Sequence, residues 1–94
     1  MARSRRLTKI VLTRRAEQDL RYWKSSGNQA KVDRINRLIE SCVLSPSEGI
    51  GKPELLKFKG EETYSRRIDK THRLVYRIEA GVMVILSMRF HYEK

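Results

Sequence analysis

The sequence contains very few of the residues from which disulfides and metal sites are built. Cys42 is the only cysteine, and there are two histidines in 94 residues. A disulfide within one chain is therefore excluded, and no cysteine-based or histidine-based metal spacing occurs. Cys42 falls in an apolar stretch with helical spacing, where we expect a small buried hydrophobic residue. The composition predicts a protein without metal or other cofactors, and a lone cysteine suits a reducing cytoplasm.

Long hydrophobic runs are also missing. No apolar stretch approaches the roughly 18 residues of a membrane span. The basic start, MARSRRLTKIVL, lacks the apolar core of a secretory signal peptide. The sequence therefore predicts neither a signal peptide nor a membrane partner.

Acidic residues are scarce relative to basic ones. Lysine and arginine total 21 against 11 aspartates and glutamates, which gives a net charge of +10. A strongly basic domain has the electrostatic footprint of a nucleic-acid-binding protein. An acidic protein partner would satisfy the same charge, as would a membrane surface.

A chain of this length predicts one domain with one modest core. Residues 1–7 are expected to be a flexible basic arm, followed by a short strand over Lys9–Leu12. Thr13 is the expected N-cap of a first helix, which Gly27 ends, and Asn28 is the expected N-cap of a second helix. The apolar residues that repeat at helical spacing are Ala16, Leu20 and Trp23, then Val32, Ile35, Leu38, Ile39 and Cys42.

The second half of the chain is predicted to be a sheet. Prolines and glycines in 45–53 indicate a defined loop, and Glu54 follows it on the surface. Three strands are expected over 62–69, 71–79 and 82–90, joined by short turns at 69–70 and 80–81 and therefore antiparallel. The fold class is α+β: two N-terminal helices packed on a small, mainly antiparallel sheet.

Alternation along these strands predicts which face is buried. On the last strand one alternating set is uniformly apolar: Val82, Val84, Leu86, Met88 and Phe90. On the preceding strand the corresponding set is His72, Leu74, Tyr76 and Ile78. If these sets pack under the helices, the opposite face is basic and ends in a histidine; its expected members are Arg67, Arg73, Arg77, Arg89 and His91.

Such a face suits metal-free cleavage of RNA, in which the 2′-hydroxyl of RNA is the nucleophile. The protein must supply a base, an acid and positive charge for the transition state. We assign Glu54 as the base, His91 as the acid because imidazole titrates near neutrality, and Arg73 as a bidentate phosphate ligand. The further candidates for contacts with RNA are Lys52, Lys57, Arg67, Arg89 and Tyr92.

Each assignment has a structural alternative. A glutamate in a surface loop is usually solvated, and arginines on an exposed sheet face often serve only solubility. His72 shares the expected core face, so a hydrogen-bonded structural histidine is favoured over a catalytic one. Arg66 alternates with Tyr64 and Ile68, which makes it a weaker candidate than Arg67.

Four motifs, in order, resemble those of the YoeB/Txe toxins of bacterial type II toxin–antitoxin systems, within the RelE-like superfamily. The resemblance extends from about Lys9 to Tyr92 and implies the RelE-like fold, a small antiparallel sheet packed by two helices. It identifies the chain as a single toxin domain. The motifs are GKPELLK (51–57), SRRI (65–68), HRLVY (72–76) and RFHY (89–92).

The resemblance also implies a function: ribosome-dependent endoribonuclease, cutting messenger RNA in the ribosomal A site. The general base of the family falls on Glu54, and the arginine that stabilises the transition state falls on Arg73. The general acid falls on His91, with Tyr92 beside it. Two substrate contacts of the family fall on Lys57 and Arg67.

Partners and location follow from the same resemblance. It implies a cognate acidic antitoxin of the YefM/Axe type, the ribosome and its message, and the bacterial cytoplasm. A homodimer is implied as one state of the free toxin. Two features depart from the family: Tyr64 stands where tryptophan is common, and Glu93-Lys94 extend the chain beyond the terminal His-Tyr pair.

Two alternative functions remain open at this stage. A toxin of the same fold can poison DNA gyrase, as the ParE branch does, and would not need the Glu54, Arg73 and His91 set. A non-catalytic module that binds RNA or the ribosome would need only the positive charge.

Overall fold

A computed structural model describes residues 7–56 and 62–90 of the chain. Its elements, in chain order, are the strand β1, two helices and four further strands. Their bounds are β1 Lys9–Leu12, α1 Arg14–Ser25, α2 Gln29–Leu44, β2 Glu54–Leu55, β3 Glu62–Arg67, β4 Arg73–Glu79 and β5 Val82–Ser87. None of the helices in the described ranges is both long enough and apolar enough to cross a membrane.

The strands form one sheet in the order β1-β5-β4-β3-β2. The pairs β2–β3, β3–β4 and β4–β5 are antiparallel, whereas β1 lies parallel to β5 at one edge. The predicted fold class is therefore confirmed. The first and last of the three predicted strands end two and three residues early, and the middle one begins two residues late but ends at Glu79 as predicted. Glu54 belongs to a two-residue edge strand, not to a loop.

Both helices begin where the sequence predicts. The Thr13 side chain accepts a hydrogen bond from the Ala16 N–H at 3.1 Å, and the Asn28 side chain accepts one from the Lys31 N–H at 3.3 Å. These side chains satisfy N–H groups that the first turn of a helix leaves unpaired. The two helices pack on one face of the sheet and bury the predicted apolar stripes, including Trp23, Ile35 and Cys42.

The predicted buried set on β5 is wrong over most of the strand. Met83 and Ile85 lie in the core beneath the helices, opposite Ile78 and Tyr76 of β4, in place of Val82 and Leu86, while Val84 is buried at 8 % exposure but outside that cluster. The register then skips Leu86, because Ser87 pairs with Val75, the neighbour of Tyr76. This β-bulge changes the alternation, so Met88 is again in the core.

The bulge lies against the start of α1. The Thr13 N–H donates to the Ile85 carbonyl at 3.0 Å, and its hydroxyl donates to the Leu86 carbonyl at 3.1 Å. One threonine therefore caps the helix and satisfies the carbonyls of the irregular strand. This contact fixes the angle at which α1 approaches the end of β5.

Leu7 was expected at the end of a flexible arm, but it is part of the core. Its side chain is 6 % exposed, and its N–H donates to the Val43 carbonyl at 3.0 Å. The ordered domain thus begins at or before Leu7. Residues 1–6, the remainder of the expected arm, lie outside the described residues.

A buried arginine organises the loop between α2 and β2. Arg66 is fully buried, and its guanidinium donates five hydrogen bonds. Because an arginine has five N–H donors, all of them are used. The acceptors are the Tyr76 hydroxyl at 2.9 Å, the Ser41 hydroxyl at 2.7 Å and the carbonyls of Ser45 at 2.7 Å, Glu48 at 2.7 Å and Ile50 at 3.0 Å.

Tyr76 completes this network. Burial raises the pKa of the Tyr76 phenol, so the group stays protonated and donates to the Pro46 carbonyl at 2.7 Å. Its ring stacks on Tyr64 with centroids 5.6 Å apart. The tyrosine that replaces the family's tryptophan therefore serves as a packing residue.

Two glycines with positive φ allow a matched test of how tightly this loop packs. A methyl group on Gly51, at φ +85°, would lie 2.6 Å from Leu38 Cδ2 and 3.1 Å from Arg66 Cβ, whereas one on Gly27, at φ +75°, meets nothing within 4 Å. We expect Gly27→Ala to lower the free energy of unfolding by about 1–2 kcal/mol, the cost of a left-handed alanine. Gly51→Ala should lose a further ~1–3 kcal/mol from overpacking.

Urea denaturation followed by circular dichroism measures both losses. Equal destabilisation by the two substitutions would show that the loop is not tightly packed on Leu38 and Arg66.

Candidate active site

Three of the predicted site residues lie together on the sheet face opposite the helices: Glu54, Arg67 and Arg73. Glu54 of β2 pairs with Ser65 of β3, and Ser65 pairs with Val75, two residues beyond Arg73. The Arg73 guanidinium lies 3.5 Å from the Glu54 carboxylate and 3.4 Å from the Ser65 hydroxyl. The structure thus brings the predicted base and the predicted phosphate ligand into contact.

The Glu54–Arg73 ion pair is weak by its geometry. Its N–O separation is long, and the Glu54 side chain is 64 % exposed, compared with 19 % for Arg73. Exposed pairs of this kind contribute about 0–1 kcal/mol, because water screens the charges. An incoming anion could therefore replace the carboxylate at Arg73 at little cost.

Arg67 lies next to this pair. It is the direct cross-strand partner of Arg73, so the two side chains leave the same face of the sheet. The Arg67 N–H donates to the Gly51 carbonyl at 2.7 Å, and its carbonyl accepts from Arg34 of α2 at 3.0 Å. These contacts tie β3 to the loop before Glu54, and the exposed Arg67 side chain adds positive charge to the site.

The segment after β5, residues 88–90, is anchored by α1. Met88 donates its N–H to the Asp19 carboxylate at 2.8 Å, and its carbonyl accepts from the Trp23 indole at 2.9 Å. Asp19 is buried and is held in turn by Arg15, whose Nε lies 3.0 Å and 3.1 Å from its two oxygens. Both polar backbone atoms of Met88 are therefore satisfied by neighbouring turns of one helix.

Phe90, at the end of this segment, is held by the start of β4. Its N–H donates to Nδ1 of His72 at 2.8 Å, and its carbonyl accepts from the Arg73 N–H at 3.2 Å. The residue adopts φ +66°, a left-handed conformation that is rare for residues other than glycine. His72, predicted as a hydrogen-bonded structural histidine, has that role in the structure.

Arg89 does not join Arg73 on the sheet face. Its guanidinium stacks on the ring of Tyr22 in α1 at 3.7 Å and approaches the ring of Phe90 at 4.6 Å. Its Nε is buried and has no hydrogen-bond partner within the described ranges. The two cation–π contacts therefore provide the electrostatic stabilisation of this cation.

The remaining predicted residues are only partly described. Lys52 is exposed, at φ +52°, two residues before Glu54. Lys57, His91 and Tyr92 lie outside the described residues. The described part of the chain ends at Phe90, one residue before His91 in the sequence.

An aspartate organises the turn that leads into Arg73. The Asp69 carboxylate accepts from the N–H groups of Thr71 at 2.8 Å and His72 at 2.7 Å, and it lies 2.9 Å from the Lys31 ammonium. Burial raises the pKa of Asp69, but these hydrogen bonds and the Lys31 charge outweigh it and lower the pKa from 3.8 to about 2. The turn is therefore held by a carboxylate that stays ionised down to strongly acidic pH.

The arrangement supplies the exposed Glu54 carboxylate, the exposed Arg67 guanidinium and the partly buried Arg73 guanidinium side by side, which suits binding and transfer chemistry at a phosphate. No group of three or more histidine, cysteine or acidic side chains that could hold a metal occurs within residues 7–56 and 62–90. The functional assignment of the site therefore rests on its charged side chains.

Several residues that build the site were not predicted. Asp19 lies on the apolar face of α1. Because a carboxylate is rarely buried without a partner, its position in the sequence could have revealed a fixed hydrogen-bond partner. Ser65 has no such signal, because its position depends on the pairing of β2 with β3. The five hydrogen bonds of Arg66 were likewise not foreseen, although its alternation with Tyr64 and Ile68 placed it on the core face.

Comparison with known proteins matches almost the whole chain. A family model described as YoeB-like toxin of bacterial type II toxin–antitoxin system matches residues 12–92. The chain is 42 % identical to toxin YoeB of Streptomyces coelicolor over 84 residues, which cover 89 % of this chain and 99 % of that protein.

Solved structures give the same assignment. The chain superposes on the Staphylococcus aureus YoeB dimer structure with TM-score 0.80 and 39 % identity, covering 93 % of this chain and 99 % of that one. A heterotetrameric YoeB–YefM complex from the same organism gives TM-score 0.76 with the same coverage. An archaeal RelE in complex with RelB, from Pyrococcus horikoshii, shares the fold at 16 % identity and TM-score 0.70, covering 92 % of this chain and 97 % of that one.

The Asp69 turn predicts a specific pH dependence of stability. Because its pKa is lower in the folded state than the usual value near 3.9, Asp69 stabilises the fold fully above about pH 4 and loses this contribution as the pH falls towards about 2. Because Asp69 lies near the surface, where water screens its charge, the contribution should be at most about 1–2 kcal/mol. Asp69→Asn should therefore have a lower free energy of unfolding than the wild type at pH 6. This difference should vanish as the pH falls from 4 to 2.

Urea titrations at several pH values measure this gap, with Asp33→Asn on the exposed side of α2 as the control for removing one negative charge. A gap for Asp69→Asn that stays constant down to pH 2.5 would contradict the role of the carboxylate charge.

Proposed function

This chain belongs to the YoeB-like toxins of bacterial type II toxin–antitoxin systems, and from that membership we propose that it is a ribosome-dependent endoribonuclease. It cleaves messenger RNA in the ribosomal A site, with the 2′-hydroxyl as the nucleophile and without a metal. Its action is then in the bacterial cytoplasm, where ribosomes translate.

The observation that carries the proposal is the contact between Glu54 and Arg73 on the sheet face opposite the helices. In the proposed reaction Glu54 takes the proton from the 2′-hydroxyl, and Arg73 binds the scissile phosphate as negative charge develops on it. The weakness of the ion pair supports these roles, because both partners must be released to the substrate. Ser65, 3.4 Å from the guanidinium, helps to hold Arg73 in place.

His91 is the proposed general acid, which gives a proton to the leaving 5′-oxygen, and Tyr92 is proposed to orient the phosphate or a base. The described chain supports this assignment up to Phe90, whose carbonyl accepts from the Arg73 N–H. The residue that precedes His91 is therefore joined directly to the backbone of the phosphate ligand.

Further contacts with RNA are proposed for the cations around this pair. Arg67, beside Arg73 in register, adds charge for the flanking phosphates. Lys52 and Lys57, before and after β2, are proposed to extend the contact along the message. Arg89 is a weaker candidate for an RNA contact, because its guanidinium is already stacked on Tyr22.

We also propose an acidic antitoxin as the protein partner. The Staphylococcus aureus relative was solved both as a dimer and in complex with YefM. A chain with net charge +10, and with Arg67 exposed beside Arg73, is complementary to an acidic segment. A homodimer is proposed as the state of the toxin without its antitoxin.

The roles of Glu54 and His91 are tested by primer extension on a defined message in a purified translation system. Wild-type protein should produce cuts at the A-site codon only when ribosomes are present. Glu54→Gln and His91→Gln should each slow single-turnover cleavage by about 10²–10⁴-fold, because each removes a proton-transfer group.

Glu40→Gln, on the exposed side of α2, is the matched control and should cut like the wild type. Sedimentation with ribosomes should show unchanged binding of both site variants. Full cleavage by both site variants would defeat the assignment, and an absence of cuts from well-folded wild-type protein would favour a gyrase poison or a binding module.

The antitoxin partner predicts salt-dependent binding. The dissociation constant for the acidic C-terminal segment of the cognate antitoxin should rise with ionic strength, because salt screens exposed charges. Arg67→Gln and Arg73→Gln should weaken the binding, whereas Arg14→Gln at the start of α1 should not. Calorimetric titration between 50 mM and 500 mM salt measures both effects; equal affinity for all variants at every salt concentration would contradict this interface.

A further inference from the structure

The left-handed conformation of Phe90 is fixed from both sides by two consecutive residues. His72 accepts from the Phe90 N–H at 2.8 Å, and the backbone N–H of the next residue, Arg73, donates to the Phe90 carbonyl at 3.2 Å. A non-glycine residue at φ +66° persists only where its surroundings determine it. Here the dipeptide His72-Arg73 provides that determination.

The hydrogen bond to His72 also sets the state of its ring. An imidazole nitrogen accepts a hydrogen bond only when it carries no proton, so Nδ1 is bare and the ring proton lies on Nε2. The Asp69 carboxylate positions the His72 backbone by accepting its N–H at 2.7 Å. The ring itself contacts Trp23 edge-on at 5.0 Å and Phe90 at 5.4 Å.

His72 therefore connects the two parts of the site that lie far apart in sequence. Its backbone leads directly into Arg73, whose side chain faces Glu54. Its side chain holds the last described residue before His91. Movement of either part relative to the other would have to break the His72–Phe90 hydrogen bond or the Arg73–Phe90 hydrogen bond.

We propose that His72 is a positioning residue for catalysis: its neutral Nδ1, together with the Arg73 N–H, fixes the backbone of Phe90, the residue before the proposed acid, relative to Arg73. This inference rests on the proposed function. It assigns to His72 no proton transfer and no contact with RNA. Misplacement of a reacting group by about 1 Å can cost on the order of 10²-fold in rate, which sets the expected size of the effect.

The test compares two substitutions that differ in one property. His72→Phe keeps a ring of similar size against Trp23 but removes the acceptor. His72→Asn gives up part of the ring contact but returns an acceptor oxygen close to the position of Nδ1. We expect His72→Phe to slow single-turnover cleavage on ribosomes by about 10²-fold, with an unchanged half-saturating toxin concentration, and His72→Asn to recover most of the rate.

A role in stability alone would give the opposite order, because the phenylalanine variant keeps more of the packing. Two spectroscopic measurements on the wild-type protein provide an independent check. Nitrogen-15 shifts of the His72 imidazole should report the tautomer protonated on Nε2. Hydrogen exchange at the Phe90 amide should be slow in the wild type and in His72→Asn, and fast in His72→Phe.

The outcomes separate this inference from the proposed function. If the wild type does not cut message on ribosomes, the proposed function fails and the inference fails with it. If the wild type cuts and His72→Phe cuts equally fast, only the inference is overturned. A wild-type His72 ring protonated on Nδ1 overturns the inference as well. Because this measurement uses the wild-type protein, it decides the question even if His72→Phe does not fold.

Discussion

Most of the site depends on the hydrogen bonds that the buried Arg66 guanidinium donates. Its five hydrogen bonds join the end of α2, the loop that follows it, and the tyrosine at the centre of β4. The buried Tyr76 hydroxyl would lose this donor at a cost of about 1–3 kcal/mol, and the four part-buried acceptors would lose theirs at a lower cost because water reaches them more easily. The loop cannot shift without losing several of these bonds together, so the edge strand that carries Glu54 begins from a fixed point.

The site is assembled mainly through backbone contacts. Glu54 is placed by the pairing of β2 with β3, and the chain after β5 is placed by Asp19 and Trp23 of α1. Between the site side chains that the structure describes, the direct contacts are Glu54–Arg73 and Ser65–Arg73, and both are long. A rigid backbone frame with loosely paired charges suits a surface that must exchange its own ion pair for a phosphate.

Local signals in the sequence were sufficient for both helices, their caps and the approximate positions of four of the five strands, but not for the short strand β2. Thr13 and Asn28 combine capping chemistry with apolar periodicity, so both helix starts could be predicted. The buried set of β5 could not, because the bulge at Leu86 depends on the capping contacts of Thr13, more than seventy positions earlier. Glu54 and Arg73 could be named from motifs, but their contact depends on the register of β2 against β3, which no short turn signal in the sequence fixed.

The parallel pairing of β1 with β5 has a consequence for synthesis. Thr13 and its acceptor Leu86 are 73 residues apart in sequence, and the strand before Thr13 pairs with β5 over the same interval. Contacts between residues so far apart in sequence form late in folding, because the chain between them must be ordered first. A nascent chain that has not yet reached β5 has no neighbour for β1 and no backbone donor for the Asp19 carboxylate. The site therefore forms only after β5 and Met88 have been made, so chains that stop before β5 do not assemble it.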